Sequence, residues 1–309
     1  QNDTSNKGMD WFFMNVPEDN PDPGSLPFGS SADRFLAETR AASGEPILTV
    51  PLIGWTPKSR AKSWGFSVAK YGAQTQTECT ATGNASWCMA DAGNGVRSGG
   101  ANVTGNDPLD TSIAIGPSFV TAWMDHLAAQ FGTAGSGGIR YYALDNEPAL
   151  WDSTHRDVHP QPLTFDELWT KTRDVAAAIK AKDPAAVVFG PVSWGWCEYF
   201  YSGADNCSPN GADFLAHGSV PLTQWYLRQV RQYQEAHGVR LVDVLDVHYY
   251  PQAAGVALSG DESAATSARR LRSLRSLWDP TYVDESWIPD AVRLIPRMRE
   301  WIAPVLPWT

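Results

Sequence analysis

The sequence predicts an α/β fold of the (β/α)8 TIM-type barrel class, incomplete within this chain, and three observations lead there. Short apolar runs alternate with amphipathic helical stretches along most of the length, the rhythm that builds a parallel sheet with right-handed crossovers. The polar and aromatic departures from those runs fall at their C-terminal ends: Trp55, Asn146 and Glu147, Trp194 and Trp196, His248 and Tyr250. In a barrel of parallel strands that edge carries the chemistry. The third observation limits the first two, because only four such strands can be read and a closed barrel of this kind needs eight.

Taken in order, residues 1–30 are rich in Pro, Asn and Asp around Trp11-Phe12-Phe13 and read as a loop with an aromatic anchor. Ser30 or Ser31 caps a helix over 32–42, with Phe35 and Leu36 on its buried side and Gly44 beyond its end. The first strand is 47–54, and Trp55 at its C-terminal end is a candidate sugar platform. Residues 56–112 form a long excursion of little periodicity, and loops of that length are usually functional. A helix over 116–131, with Val120, Trp123, Met124 and Leu127 inward, leads through a Gly-rich turn to the strand at 141–144. Thr164 caps a helix to about 182, and 187–192 is the next strand. A helix over 221–237 precedes the last strand at 242–251. Its period-two alternation sets His248 and Tyr250 on one face, with Asp246 placed to orient His248. Helical stretches over 264–277 and 289–302 follow.

The chain is organised around Tyr141-Tyr142-Ala143-Leu144-Asp145-Asn146-Glu147-Pro148. An apolar strand delivers three polar residues to its C-terminal edge, where Glu147 is a candidate general acid/base and Asn146 a candidate ligand of a substrate hydroxyl. The plainer alternative is that Glu147 caps the following segment and Asn146 closes a turn. Trp151, His155 and His159 just downstream favour the catalytic reading.

Composition narrows the partners. A chain of 309 residues, 43% hydrophobic, can bury the core of one large α/β domain, so 1–309 is read as one partial barrel domain. The net charge of −10 and the lack of any basic run argue against nucleic acid and anionic membranes. No apolar run approaches the ~20 residues of a membrane span. Gln1-Asn2-Asp3-Thr4-Ser5 is polar, unlike the apolar core of a signal peptide, so the chain reads as mature or cut. Fourteen tryptophans in an acidic chain fit a neutral polysaccharide ligand, because aromatic faces stack on sugar C–H faces, although most single rings belong to a core.

Cys79 with Cys88 and Cys197 with Cys207 each flank a polar loop. Two local disulfides in an oxidising, extracellular setting is the economical reading, and four buried thiols the alternative. Asn106, Asp107 and Asp110 could hold a structural calcium or make Asx turns, and the spacing is no EF-hand. His155, Asp157 and His159 read as a hydrogen-bonding loop in preference to a metal site, so no metal and no required cofactor are expected.

At this point the residues resemble glycoside hydrolase family 44. The resemblance rests on Leu144-Asp145-Asn146-Glu147-Pro148 through Trp151 and on Thr154-His155-Arg156-Asp157-Val158-His159-Pro160. It extends to Val247-His248-Tyr249-Tyr250-Pro251, to Asp279-Pro280-Thr281-Tyr282-Val283-Asp284-Glu285-Ser286-Trp287, and to the opening Asn2-Asp3-Thr4-Ser5-Asn6 with Asp10-Trp11. It implies a retaining endo-β-1,4-glucanase acting on soluble cellulose derivatives, xyloglucan and related glucans, with an eight-stranded barrel and a β-sandwich domain. The protein is expected to be secreted, as the cysteine pairs suggest, and monomeric. Glu147 matches the family's acid/base and Asn146 the amide before it. His248 and Tyr250 match positions lining related barrel sites, and Trp55, Trp194, Tyr249, Tyr250 and Trp287 are candidate sugar contacts. On this resemblance the visible strands are numbers three to six and the sandwich is absent. The nucleophile, a strand-seven glutamate, is then expected beyond residue 309. Glu285, in a Trp-flanked loop, is the first candidate within the chain, ahead of Glu198 and Asp246. A partial barrel exposes two sheet edges, which predicts aggregation or dependence on further sequence. A carbohydrate-binding protein without activity and a barrel hydrolase acting on xylan or mannan are the alternatives.

Overall fold

The computed structural model describes residues 4–18 and 30–305; Asn2 and Asp3 of the opening motif lie outside them. The chain opens with an antiparallel ribbon, β1 (Thr4–Asn6) and β2 (Met14–Pro17), in the register Thr4↔Pro17. The loop expected over residues 1–30 is therefore partly a ribbon. The first element that feeds the main sheet is the Ser31–Ala41 helix, capped by the Ser30 hydroxyl accepting from the Asp33 amide. Leu36 is fully buried there, but Phe35 is 51% exposed, so the expected buried pair is a single residue. One residue from Leu36 turns a side chain about 100° around a helix, which carries Phe35 off the inward stripe.

After this helix comes β3 (Ile47–Val50), then β4 (Trp55–Pro57) and β5 (Ser63–Trp64). Trp55 thus begins a new strand instead of ending the first. The 56–112 excursion is ordered by short pairings: β2 with β5, and β4 with β6 (Ser112–Ala114). The Cys79–Cys88 disulfide closes one of its loops and Cys197–Cys207 closes another farther along the chain. The acidic cluster makes an Asx turn, the second of the two readings of its sequence, together with an ion pair and a long-range bond. Asp107 accepts from the Leu109 amide, Asp110 pairs with Lys70 Nζ at 2.6 Å, and Asn106 donates to the Asp157 carbonyl.

The main sheet comprises β3, β7 (Tyr141–Leu144), β8 (Val187–Ser193) and β9 (Val244–Val247), in that spatial order and all parallel. The helices Pro117–Phe131, Phe165–Lys182 and Leu222–His237 form the connections between these strands. Their inward faces, among them Val120, Leu127, Leu168, Ile179, Tyr226 and Val230, pack with Leu48, Tyr142, Leu144 and Val188 into one core cluster. Gly190 lets the Tyr226 ring approach β8, since a Cβ there would stand 2.7 Å from its hydroxyl. A second cluster joins Leu227, Ile288, Val292, Met298 and Trp301 beyond β9. The last two helical stretches begin later than expected or end in a different turn: Ala264–Ser273 continues as a 3-10 turn to Leu277, and the final helix is Leu294–Ile302. Among the described residues β3 and β9 each pair on one side only within this sheet.

Candidate active site

Three non-glycine residues at the ends of β7 and β8 adopt left-handed backbone: Asp145 (φ 63°), Glu147 (φ 48°) and Val192 (φ 60°). For a β-branched valine this is a true outlier, and such strain persists only where surrounding bonds over-determine it. Those bonds are present. Asp145 Oδ2 accepts from the amides of Leu52 and Ile53 at 2.6 and 2.8 Å, tying the end of β7 to the segment after β3. The Glu147 amide donates to the Val192 carbonyl at 3.0 Å, tying it to β8. Pro148 then opens a 3-10 turn, Pro148–Leu150, whose last amide returns to the Glu147 carbonyl.

This loop aims the Glu147 carboxyl at the end of β9. His248 Nδ1 lies 2.8 Å from Glu147 Oε1, with the two side chains 27% and 17% exposed. The His248 amide donates to the Ser193 carbonyl at 2.7 Å, which fixes the backbone beneath the ring. The Tyr250 ring stands edge-on to His248 at 6.2 Å. Burial and then the neighbouring Glu147 carboxylate push the Tyr250 phenol up from its ordinary value. Asp246, expected to orient His248, is half-buried on β9; burial raises its carboxyl and the His248 charge pulls it back.

The remaining expected residues divide. Asn146 is exposed beside Glu147, its amide donating to Asp145 Oδ1. Trp194 is half-buried just past β8, and Trp287, 52% exposed, donates its indole N–H to Gln252 Oε1. Trp55 packs against the main core and lines a cleft of about 310 Å³ together with Asn6, Thr49, Asp145 and His155. Glu147 does not line that cleft. Tyr249, expected as a platform next to Tyr250, instead packs against the second core cluster, where burial pushes its phenol up to about 12. Alternation along an extended chain turns adjacent residues to opposite sides, which leaves Tyr250 as the tyrosine facing Glu147. Trp196 is turned the same way as Tyr249, with the Arg297 guanidinium 5.1 Å from its ring.

The histidine loop is a bonding hub. His155 Nδ1 approaches Asn6 Oδ1 at 3.2 Å, Asn6 Nδ2 donates to Asp157 Oδ2, and His159 Nε2 meets Glu167 at 2.8 Å. No three His, Cys, Asp or Glu side chains among the described residues converge on a point fit for a metal ion. Glu285 is held at the surface by Arg272, at 2.8 and 2.9 Å, and by Arg269.

Two residues of this region escape a reading of the sequence. Asp145 stands there only as part of a polar trio, though an Asp directly after an apolar strand is well suited to left-handed backbone. Glu198 stands there only as a remote candidate nucleophile. Its signal is the lone charge inside Trp194-Gly195-Trp196-Cys197-Glu198-Tyr199-Phe200, a run too apolar to leave a carboxyl in water. Burial pushes Glu198 up to about 8 and Asp157, bonded by Asn6, up to about 6.

These two acids predict the pH dependence of stability. Each keeps a proton in the folded chain at pH values where the unfolded chain, with ordinary values of 4.5 and 3.8, has released it. Stability is therefore expected to fall as pH rises from about 5 towards 8, by on the order of 1 kcal/mol per pH unit for each buried acid in its window. Asp110 and Asp279, held low by Lys70 and by Thr281 with Arg275, act in the opposite direction below their ordinary range. Thermal melts between pH 4.5 and 8.5 check this. Asp157→Asn should flatten the lower half of the slope, and a melting temperature that climbs steadily to pH 8.5 would contradict it.

The fold and site together define an α/β protein with a candidate catalytic carboxyl at the C-terminal edge of a parallel sheet. A sequence profile of glycoside hydrolase family 44 matches residues 4–253. The chain belongs to glycoside hydrolase family 44. It is 35% identical over 210 residues to endoglucanase A of Paenibacillus lautus, covering 65% of this chain and 29% of that protein. It is 36% identical over 225 residues to a beta-mannanase/endoglucanase A of Caldicellulosiruptor saccharolyticus, covering 65% of this chain and 17% of that one. Among solved structures, CelM2, a bifunctional glucanase-xylanase from a metagenome library, superposes with a TM-score of 0.89 at 42% identity, over 99% of this chain and 58% of that one. A family 44 xyloglucanase of Paenibacillus polymyxa does so with a TM-score of 0.71 at 26% identity, again over 99% and 58%. The chain thus spans under a third of these curated relatives and somewhat over half of these structures.

Proposed function

We propose that this chain carries the acid/base half of a retaining endo-β-1,4-glucanase that cuts internal bonds of cellulose derivatives and xyloglucan. The observation that supports it most is the Glu147–His248 pair at the strand ends, in a chain whose relatives are glucanases and xyloglucanases. Glu147 protonates the glycosidic oxygen as the leaving group departs, and later takes a proton from water to release the glycosyl-enzyme. Asn146, Tyr250, Trp194 and Trp287 face the sugar chain.

A retaining reaction needs a second carboxyl about 5–5.5 Å from the first. Among the candidate acids, Asp145 is engaged by backbone amides, Glu198 by burial and Glu285 by arginines at the surface, and Asp246 is raised by burial on β9. We therefore assign the nucleophile to a strand outside residues 1–309, which would pair with a free edge of the four-stranded sheet and extend it towards a closed (β/α) barrel. The proposed chemistry is carboxyl chemistry and calls for no cofactor, and a calcium near Asp110 would have to displace the Lys70 ammonium. Two disulfides fit an oxidising, extracellular site of action, and no helix among the described residues is long and apolar enough to cross a membrane.

The test is reducing-sugar release from carboxymethylcellulose, xyloglucan, xylan and mannan by this chain and by one extended along its natural reading frame. Activity on the β-glucans in the extended chain alone is expected. Equal activity in the 309-residue chain would place the second carboxyl within it, and activity confined to xylan or mannan would overturn the substrate assignment.

A further inference from the structure

We propose that Glu198 is a positioning residue for the acid step, holding the backbone on which both Glu147 and His248 stand; the inference rests on the acid/base reading of Glu147. Glu198 lies in the short helix Trp196–Phe200 that follows β8, and it is 1% exposed. Its Oε1 accepts from the Ala149 amide at 3.3 Å, two residues past Glu147. Its Oε2 accepts from the Trp194 amide at 2.7 Å. Trp194 adjoins Ser193, whose carbonyl receives the His248 amide, and Val192 receives the Glu147 amide. One buried carboxyl therefore clamps the turn after Glu147 to the segment that carries the backbone of His248. The next residue completes the arrangement, since the Tyr199 hydroxyl donates to the His248 carbonyl.

The bland alternative is a buried acid that merely caps two orphan amides. Three features argue for more. A capping residue serves the amides of its own segment, whereas this carboxyl takes one amide from the turn after β7 and one from the end of β8. The amides it holds lie two residues beyond the left-handed Glu147 and Val192, where the backbone is strained and needs outside support. The helix bearing it is short, yet Cys197 anchors it by a disulfide to Cys207, so the clamp has a fixed base. Burial and the Glu147 charge raise the Glu198 carboxyl, as expected for two acids at close quarters.

Removing the carboxyl frees the Ala149 and Trp194 amides and lets the Glu147–His248 pair drift. A displacement of about 1 Å in such a pair costs up to about 100-fold in rate. The loss should fall on the step that needs a proton, which a general loss of structure would not single out. The experiment compares Glu198→Gln and Glu198→Ala with the parent in the chain extended along its natural reading frame, with Glu147→Gln as reference. The substrates are xyloglucan, whose leaving group needs protonation, and a 2,4-dinitrophenyl β-cello-oligosaccharide, whose leaving group does not.

Both Glu198 variants are expected to lose on the order of 10- to 100-fold in kcat on xyloglucan, with KM within about twofold. On the activated glycoside the loss in kcat/KM, which reports formation of the glycosyl-enzyme alone, should stay below about threefold. The variants and the Glu147→Gln reference are compared on that constant, because kcat there includes release of the glycosyl-enzyme, which uses Glu147 as base. The glutamine variant keeps the volume and one acceptor, so it reads the effect even where the alanine variant fails to fold. Equal losses on both substrates, or no loss on xyloglucan, would overturn the proposal while leaving Glu147 in its role. A Glu147→Gln reference without the leaving-group contrast would overturn the reading of Glu147 and this inference with it.

Discussion

Replacing Glu147 by glutamine is expected to lower β-glucan hydrolysis by between about 100- and 10,000-fold, the range that one positioned general acid/base contributes. The substitution is nearly isosteric. The glutamine side chain keeps a carbonyl oxygen for His248 Nδ1, and the left-handed turn is held by backbone bonds to Val192 and by Asp145, none of which involves the Glu147 side chain. Melting temperature should therefore change little, so that the loss reads chemistry and not folding. Reducing-sugar release from xyloglucan by the extended chain, set beside a thermal melt, is the measurement. A residual activity within a few-fold of the parent would move the acid/base role elsewhere in the strand-end cluster.

The second large effect is on stability. Trp151→Ala is expected to cost about 3–5 kcal/mol, the usual range for deleting a buried large aromatic side chain. Trp151 is 1% exposed, belongs to the main core, and stands edge-on to His159 at 5.2 Å with the Lys171 ammonium 5.6 Å from its ring. It also follows directly on the 3-10 turn after Glu147, so the cavity opens next to the Glu147 loop. The surrounding helices are fixed by their own packing on the sheet and close the gap only in part. Urea unfolding followed by tryptophan fluorescence and circular dichroism would give the difference directly, and a loss below about 1 kcal/mol would mean that the site collapses freely.

Much of the site was legible because its signals are local. An apolar strand that ends in Asp145-Asn146-Glu147, and a later one that ends in His248-Tyr249-Tyr250, mark their own C-terminal edges by residue type alone. Parallel pairing then brings those edges together, and the structure shows them joined by the 2.8 Å contact between His248 and Glu147. The cysteine pairs could be read for the same reason, being nine and ten residues apart. The N-terminal sheet could not. β1 and β2 are three and four residues long, too short for a periodicity to show, and β5 brings Ser63 opposite Asn15 from 48 residues on.

Tyr249 and Phe35 mark a different boundary. The sequence places each in its element, but which neighbour covers it depends on how neighbouring elements pack, and the second core cluster takes Tyr249 while none of the described core clusters takes Phe35. Glu198 is the sharpest case. Its residue type and apolar setting predict burial, yet the amides it accepts from lie 49 and 4 residues away and become neighbours only when β7 and β8 pair. By itself, then, the sequence determined the parallel α/β rhythm, the strand ends and the residues that stand there, because side-chain periodicity and strand termination are local properties. The tertiary structure alone decided which of those residues share a hydrogen bond, which rings face solvent, and which buried acid bonds the turn after Glu147. Those are distances between segments far apart in the chain, and only the packed sheet sets them.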